Sequence, residues 1–369
     1  MKVRGAVAHE VGQPWSVEDL ELHEPRDREV LVKVMASGLC HSDEHLLEGD
    51  LPSVYPIVGG HEGAGIVVAV GDQVKRVKVG DHIATAFIPG CGTCDWCAQG
   101  MQFVCDSGAD VFEGRMLDGT ARFHLQSGEG IGAMQRLGTF ANYLVTDETQ
   151  CIKIDDDLPF AEAALVACGV TTGWGTTVYA GGARPGDVVL ILGAGGVGMN
   201  AVQGAGHVGA RVVVAVDPVP MKRELALKLG ATHAYASLED ASEVLAHETN
   251  GQGADIAIVT IGRVTSQDVA DAFDAVRKMG VCVVVGVGST DPVPLNLVDM
   301  TVYAKQLRGA LFGNSSPTRE IPRLLKYYRS GHLKLSELIT NTYRLEDINQ
   351  AAEDMRNGTN VRGVILHEH

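Results

Sequence analysis

Four cysteines stand within fifteen residues, Cys91-x2-Cys94-x2-Cys97-x7-Cys105, with Gly90, Gly92 and Gly100 threaded among them. Tetrahedral zinc accepts four thiolates and needs no other ligand, so this spacing predicts a closed, structural metal site. Disulfides are the rival reading, which steps of three residues and a reducing compartment disfavour. A second set is dispersed: Cys40-His41-Ser42-Asp43-Glu44-His45, then Gly60-His61-Glu62, then Cys168-Gly169. Cys, His and Cys would give zinc three protein ligands and leave one position open, the arrangement of a catalytic site. Spacing alone also allows these residues to be core fillers, because sequence separation says nothing of proximity. Cys151 and Cys282 lie in apolar, strand-like runs and read as packing.

A third element, Gly193-Ala194-Gly195-Gly196-Val197-Gly198, satisfies G-x-G-x-x-G directly after an apolar run. The first Gly permits a tight turn, the second lets backbone approach a pyrophosphate, and the third allows close helix–sheet packing. In a Gly-rich chain such a turn can be purely structural. Here Asp217 follows 19 residues after Gly198, at the end of the next apolar run, where a carboxylate can accept from adenosine ribose hydroxyls. The same acid repels a 2′-phosphate, so NAD is expected in preference to NADP. Lys222, one helical turn on, is a further candidate for the ribose and Arg362 for the pyrophosphate; each is equally readable as an ordinary surface or structural cation.

These residues need elements to position them. The first half of the chain reads as β-rich and irregular, with strands at Met1–Val7, Val30–Val34 and Ala64–Val70 and turns at Gly71-Asp72, Gly80-Asp81 and Pro89-Gly90. From about Thr171 short apolar runs alternate with helical patterns. Val188–Leu192, Arg211–Asp217, Ile256–Thr260 and Val281–Gly286 are strands buried on both faces, with a helix at Met221–Leu229, and together they describe a doubly wound parallel sheet. An amphipathic helix follows at Ile321–Arg329, and Val361–Leu366 reads as a strand returning to the first domain. The fold class is therefore α/β.

A chain of 369 residues implies two domains. The net charge of -16 repels phosphate backbones and anionic membranes, which argues against nucleic-acid and membrane partners. Neither a signal peptide nor a run of about 18 apolar residues is evident, so a cytoplasmic setting is the expectation.

Taken together these motifs resemble the zinc-containing medium-chain alcohol dehydrogenases, over essentially the whole chain. Gly60-His61-Glu62-x2-Gly65-x5-Gly71-x2-Val74 matches that family's zinc signature, and the cysteine lobe, the glycine turn, Asp217 and Lys222 follow in the family's order. The resemblance implies a GroES-like catalytic domain, residues 1–169 and 312–369, with a Rossmann NAD-binding domain, residues 170–311, inserted in it. It implies two zincs per chain: a catalytic one on Cys40, His61 and Cys168, and a structural one on Cys91, Cys94, Cys97 and Cys105. Glu62 becomes an outer or transient ligand, Asp43 the acceptor that orients His61, and Ser42 and His45 the proton relay that delivers a proton to the surface. Thr172, Val287 and Arg362 gain cofactor-side roles, and Leu51, Phe87, Val287, Leu311 and Phe312 become candidates for the substrate pocket.

The segment Glu113–Met134 resembles the long loop of the liver-type branch, which implies a dimer. Gly59–Gly63 and Cys168–Gly173 are similar to the actinobacterial branch that uses nitrosodimethylaniline as artificial acceptor and keeps NAD bound through turnover. The activity so implied is hydride transfer between a primary or secondary alcohol and NAD, giving an aldehyde or ketone. Two alternatives are an S-hydroxymethyl (thiol-adduct) formaldehyde dehydrogenase and a non-catalytic zinc and NAD sensor. Ala109 stands where the thiol-adduct enzymes carry an arginine, and Ser42 and His45 in register are superfluous in a sensor.

Overall fold

The computed structural model describes residues 1–288 and 290–369. The chain divides into two compact units, Met1–Cys168 with Ser316–His369, and Gly169–Ser315.

The second unit carries a six-stranded, all-parallel sheet. Its spatial order is His233–Tyr235, Val212–Val216, Val188–Leu192, Ala254–Val259, Val276–Val284 and Gln306–Gly309. Numbered along the chain this is 3-2-1-4-5-6, the doubly wound order whose switch point lies between the first and fourth strands. The runs Val188–Leu192 and Val212–Val216 are buried at every residue, as strands covered on both faces must be. Helix Gly196–His207 leaves the first of them through the glycine turn, and helix Pro220–Lys228 leaves the second.

The first unit is antiparallel for the most part. A closed barrel joins Lys2–Ala8, Ser16–Leu22, Phe123–His124, Gly130–Ala133 and Ile57–Val58. The Glu113–Met134 segment, expected as a long loop, thus supplies two of the barrel's strands, Phe123–His124 and Gly130–Ala133. Leu125 N to Glu129 O and Gly128 N to Leu125 O close the turn between them. Phe123 and Ile131 are fully buried in the apolar core with Val7 and Leu20, so burial makes strands within the segment that the resemblance gave as a loop.

A second sheet is built on the long strand Glu29–Gly38, which pairs with Glu62–Val70, Tyr143–Asp147 and the C-terminal strand Arg362–Leu366. The last strand therefore enters the first unit, as its pattern suggests, with Val364 opposite Gly38. Among the described residues no helix is long and apolar enough to cross a membrane.

Candidate functional site

The strand register assembles the dispersed ligands. Glu29–Gly38 and Glu62–Val70 run antiparallel with Gly38 opposite Glu62 and Ser37 opposite Gly63. The chain passes through Gly38 into Cys40, which caps helix His41–Glu48, so Cys40 and His61 arise at the same end of one strand pair. Cys168, the last residue of the first unit, follows helix Phe160–Val166. Ligand atoms of Cys40, His61, Glu62 and Cys168 all lie within 4.8 Å of one another.

Each is locally fixed. Asp43 accepts from Cys40 N at 2.9 Å through Oδ2 and meets His61 Nδ1 at 3.2 Å through Oδ1. One carboxylate thus holds the turn carrying Cys40 and the imidazole plane, and its acceptance makes Nδ1 the protonated nitrogen. Nε2 of His61 is buried and makes no hydrogen bond. Phe87 stands edge-on to the ring, centroids 5.9 Å apart. Thr85 brackets the segment from behind: its Oγ1 donates to His61 O at 3.3 Å and accepts from Gly63 N at 2.9 Å.

The electrostatics of this cluster ask for a cation. Burial would lower the His61 pKa, but Asp43 and Cys40 raise it well above the ordinary value. The Cys40 thiol is drawn well below its ordinary value by the hydrogen bond with Cys168 and then by His61, and the same bond pushes Cys168 up. Burial pushes the Glu62 carboxyl up to about 7 against the pull of Arg362. An orphaned buried imidazole nitrogen facing two sulfurs and a carboxylate fits a divalent zinc with three strong ligands and one outer carboxylate.

Arg362 is placed here, in the first unit, with its guanidinium ion-paired to Glu62 Oε2. Gly38 makes room for that pair, since a Cβ at this position would lie 2.1 Å from Glu62 Oε2. Ser42 Oγ lies 3.6 Å from Cys40 Sγ. His45 is buried, 3% exposed, and not at the surface; its Nδ1 meets Asp50 Oδ2 at 2.9 Å, and Asp50 is exposed just past the end of the helix. Asp50 was not legible as a partner, lying beyond the helix-ending Gly49. Glu44, buried beside Asp43, is ion-paired with Arg356 at 2.7 Å.

The four-cysteine lobe is the second cluster, its ligand atoms also within 4.8 Å. Cys91 and Cys97 sulfurs are 3.8 Å apart, Cys94 and Cys105 sulfurs 3.9 Å. A zinc tetrahedron with arms of about 2.3 Å has corners about 3.8 Å apart. Cys91 Sγ accepts from Thr93 N and Cys94 N, and Cys94 Sγ from Cys97 N, at 3.3–3.4 Å, as thiolates do. None of the eight cysteines forms a disulfide. Cys151 and Cys282 are buried in the cores of the first and second units, and burial pushes the Cys282 thiol up to about 12.

The second unit brings the dinucleotide candidates together. Gly193 takes φ +93°, and a Cβ on Gly198 would lie 1.9 Å from Gly193 O, so the turn and the helix behind it touch backbone to backbone. Gly195 differs: a Cβ there meets nothing within 4 Å. The fold does not demand glycine at 195, whereas a phosphate seated on the helix N-terminus does. Asp217, 6% exposed, accepts from Ala194 N at 2.8 Å and from Val219 N at 2.9 Å. Its carboxylate therefore holds the glycine turn. Lys222 is half-buried on the following helix, and its neighbour Arg223, unforeseen in sequence, donates to Asp217 O and Pro218 O, both at 2.8 Å. Thr172 is buried in helix Gly169–Gly175, whose next residue, Gly173, packs against Val197 O. Among the pocket candidates Leu51 and Phe87 belong to the first unit; Val287, Leu311 and Phe312 belong to the second, with Phe312 buried and the other two exposed.

The alcohol dehydrogenase GroES-like domain matches residues 26–156, and the zinc-binding dehydrogenase domain matches residues 196–328. The chain is 49% identical to an NDMA-dependent alcohol dehydrogenase of Amycolatopsis methanolica, over 100% of this chain and 99% of that one. Among solved structures it is similar to an alcohol dehydrogenase zinc-binding domain protein from Burkholderia ambifaria, with TM-score 0.93 and 34% identity over 100% of both chains. It is also similar to benzyl alcohol dehydrogenase from Acinetobacter calcoaceticus, with TM-score 0.92 and 29% identity over 100% of both chains. Full-length identity at this level, on a ligand geometry that fits zinc, makes the chain a member of the zinc-containing medium-chain alcohol dehydrogenase family.

Proposed function

We propose that this protein oxidises a primary or secondary alcohol to the aldehyde or ketone with NAD, the zinc held by Cys40, His61 and Cys168 and the dinucleotide by the Gly193–Gly198 turn, Asp217, Lys222 and Thr172. The observation that carries this reading is His61 Nε2, buried without a hydrogen bond among two sulfurs and a carboxylate. Bound there, zinc supplies a Lewis acid for the alcohol oxygen and NAD supplies the hydride acceptor.

The chain's own residues do the rest. Asp43 fixes the His61 ring through Nδ1. Glu62, tethered to Arg362, stands as an outer ligand, and Arg362 is also kept as a candidate for the pyrophosphate. Ser42 Oγ, beside Cys40, is placed to accept the hydroxyl proton. His45, with Asp50 on its Nδ1, gives that proton a charged destination at the end of the same helix. Phe87 and Leu51 line the alcohol side and exclude water. The first unit is assigned as the catalytic domain, residues 1–169 and 312–369, and the second as the NAD domain, residues 170–311, with Val287 on its cofactor side. The cysteine lobe holds the structural zinc. A dimer is proposed from the liver-type segment, and a cytoplasmic setting from the need to keep eight thiols reduced.

The decisive experiment is a substrate panel run with and without added NAD on extensively dialysed enzyme, together with NAD assay of the denatured supernatant. Nitrosodimethylaniline dependence belongs to the Amycolatopsis relative by name. For this chain the same behaviour is proposed: about one NAD released per chain on denaturation, and alcohol oxidation driven by the artificial acceptor alone. Empty protein that turns over only with added NAD would assign it to ordinary coenzyme exchange. Formaldehyde with a small thiol, in place of an alcohol, is expected to be a poor substrate.

A further inference from the structure

The ladder between strands Glu62–Val70 and His82–Thr85 ends at the pair Ala64–Ala84. Beyond it that ladder has no further pair at Gly63 or Glu62. A side chain takes over: Thr85, 1% exposed, accepts from Gly63 N at 2.9 Å and donates to His61 O at 3.3 Å through one hydroxyl. On its other side the strand pairs with Glu29–Gly38 as far as Gly38 opposite Glu62, and upstream of His61 Thr139 N donates to Gly60 O at 3.0 Å and Phe140 N to Gly59 O at 2.9 Å. A Cβ on Gly63 would lie 2.7 Å from Thr139 Cγ2, so only glycine fits at this point of the strand.

We propose that Thr85 is a positioning residue for the catalytic metal: its hydroxyl fixes the backbone on both sides of Glu62, from the His61 carbonyl to the Gly63 amide, and so helps set where Nε2 and the Glu62 carboxylate stand relative to Cys40 and Cys168. Asp43 orients the imidazole ring, but a ring orientation is useful only if its Cα is fixed. Removing the hydroxyl leaves a buried N–H and a buried C=O without partners, which a backbone relieves by moving. The inference rests on His61 being a zinc ligand.

The test uses Thr85→Val, which keeps the shape and removes the hydroxyl, and Thr85→Ser, which keeps it. Each zinc-loaded enzyme is challenged with a chelator, and the zinc remaining on the protein is followed with time. Thr85→Val is expected to lose one zinc about 10–100-fold faster than wild type while holding the other, the range seen when groups supporting a ligand are removed. Its kcat is expected to fall with the NAD content per chain unchanged, and Thr85→Ser is expected to follow wild type in both. Zinc leaving Thr85→Val at the wild-type rate, or Thr85→Ser behaving as Thr85→Val does, would overturn the proposal. If Thr85→Val does not fold, the wild-type enzyme still decides: the Gly63 amide must exchange slowly with solvent deuterium, and rapid exchange overturns it. A wild-type enzyme carrying a single zinc would instead sink the His61 assignment.

Discussion

At the scale of single residues, the site depends on side chains that satisfy one another before any ligand arrives. Asp43 serves both Cys40 and His61, and Asp217 serves both Ala194 and Val219. Cys40→Ser is expected to leave the fold intact and to reduce the zinc content from two per chain to one. Its kcat/KM should fall by more than the roughly 100-fold that loss of an outer-shell partner reaches. Wild-type zinc content in this variant, by elemental analysis, would contradict the ligand assignment. Asp217→Ser is expected to weaken NAD by roughly 1.5–3 kcal/mol per lost hydrogen bond and to relax discrimination against NADP. Because the same carboxylate holds the glycine turn, Asp217→Asn, which keeps an acceptor for Ala194 N, should weaken NAD less than Asp217→Ser. Titration of both cofactors against both variants checks the order.

At the scale of elements, glycine positions with different surroundings separate folding from binding. Gly198→Ala drives a Cβ against Gly193 O and should destabilise the second unit. Gly195→Ala meets nothing in the protein, so its Tm should match wild type while NAD binds about tenfold or more weakly, the equivalent of about 1.4 kcal/mol. Equal losses of Tm in the two variants would refute the distinction. The cysteine lobe is the opposite case, an element without a core. Helix Asp95–Ala98 and the turn Gln102–Val104 bury no residue, so metal must take the place of packing. Cys97→Ser is expected to remove the other zinc and to lower Tm by about 5–10 °C, at about 2–4 °C per kcal/mol.

The elements also show what a sequence can and cannot disclose. Val188–Leu192 and Val212–Val216 were legible because buried parallel strands are apolar throughout, and the cysteine lobe because its ligands are local. The strands Phe123–His124 and Gly130–Ala133 were not, being short and set among Gly, Ser and Glu, and only the barrel they complete makes them strands. Thr85 and Asp50 carry no motif, since their partners are fixed by register and by a helix end. Arg362 was legible as a cation but not as the partner of Glu62, because that pairing follows from a strand alignment across the whole chain.

At the scale of the whole molecule, stability should depend on pH through a group that belongs to neither metal cluster. His367 is buried, meets Ser37 Oγ at 3.0 Å through Nε2, and has its pKa pushed down to about 3 by burial and by neighbouring His369. The unfolded chain binds a proton there near pH 6.5 and the folded chain does not. The stabilisation is therefore complete above about pH 6.5 and is lost as pH falls from there toward 3, at up to about 1.4 kcal/mol per pH unit. Urea unfolding at a series of pH values should show a shallower acid decline for His367→Gln than for wild type; parallel declines would exclude His367 as the source.

The alignment of Arg362–Leu366 on Glu29–Gly38 has a consequence for biosynthesis. Glu62 and its partner Arg362 are separated by 300 residues, with the entire NAD unit between them. A ribosome therefore completes the parallel sheet while the first unit still lacks an interior strand and Glu62 has no counter-charge. The second unit can close during translation, but the first must wait for Arg362–Leu366 to emerge, leaving Ala36–Gly38 without that partner until then. Chains stalled or clipped shortly before Arg362 would keep a protease-resistant Gly169–Ser315 fragment and an open first unit.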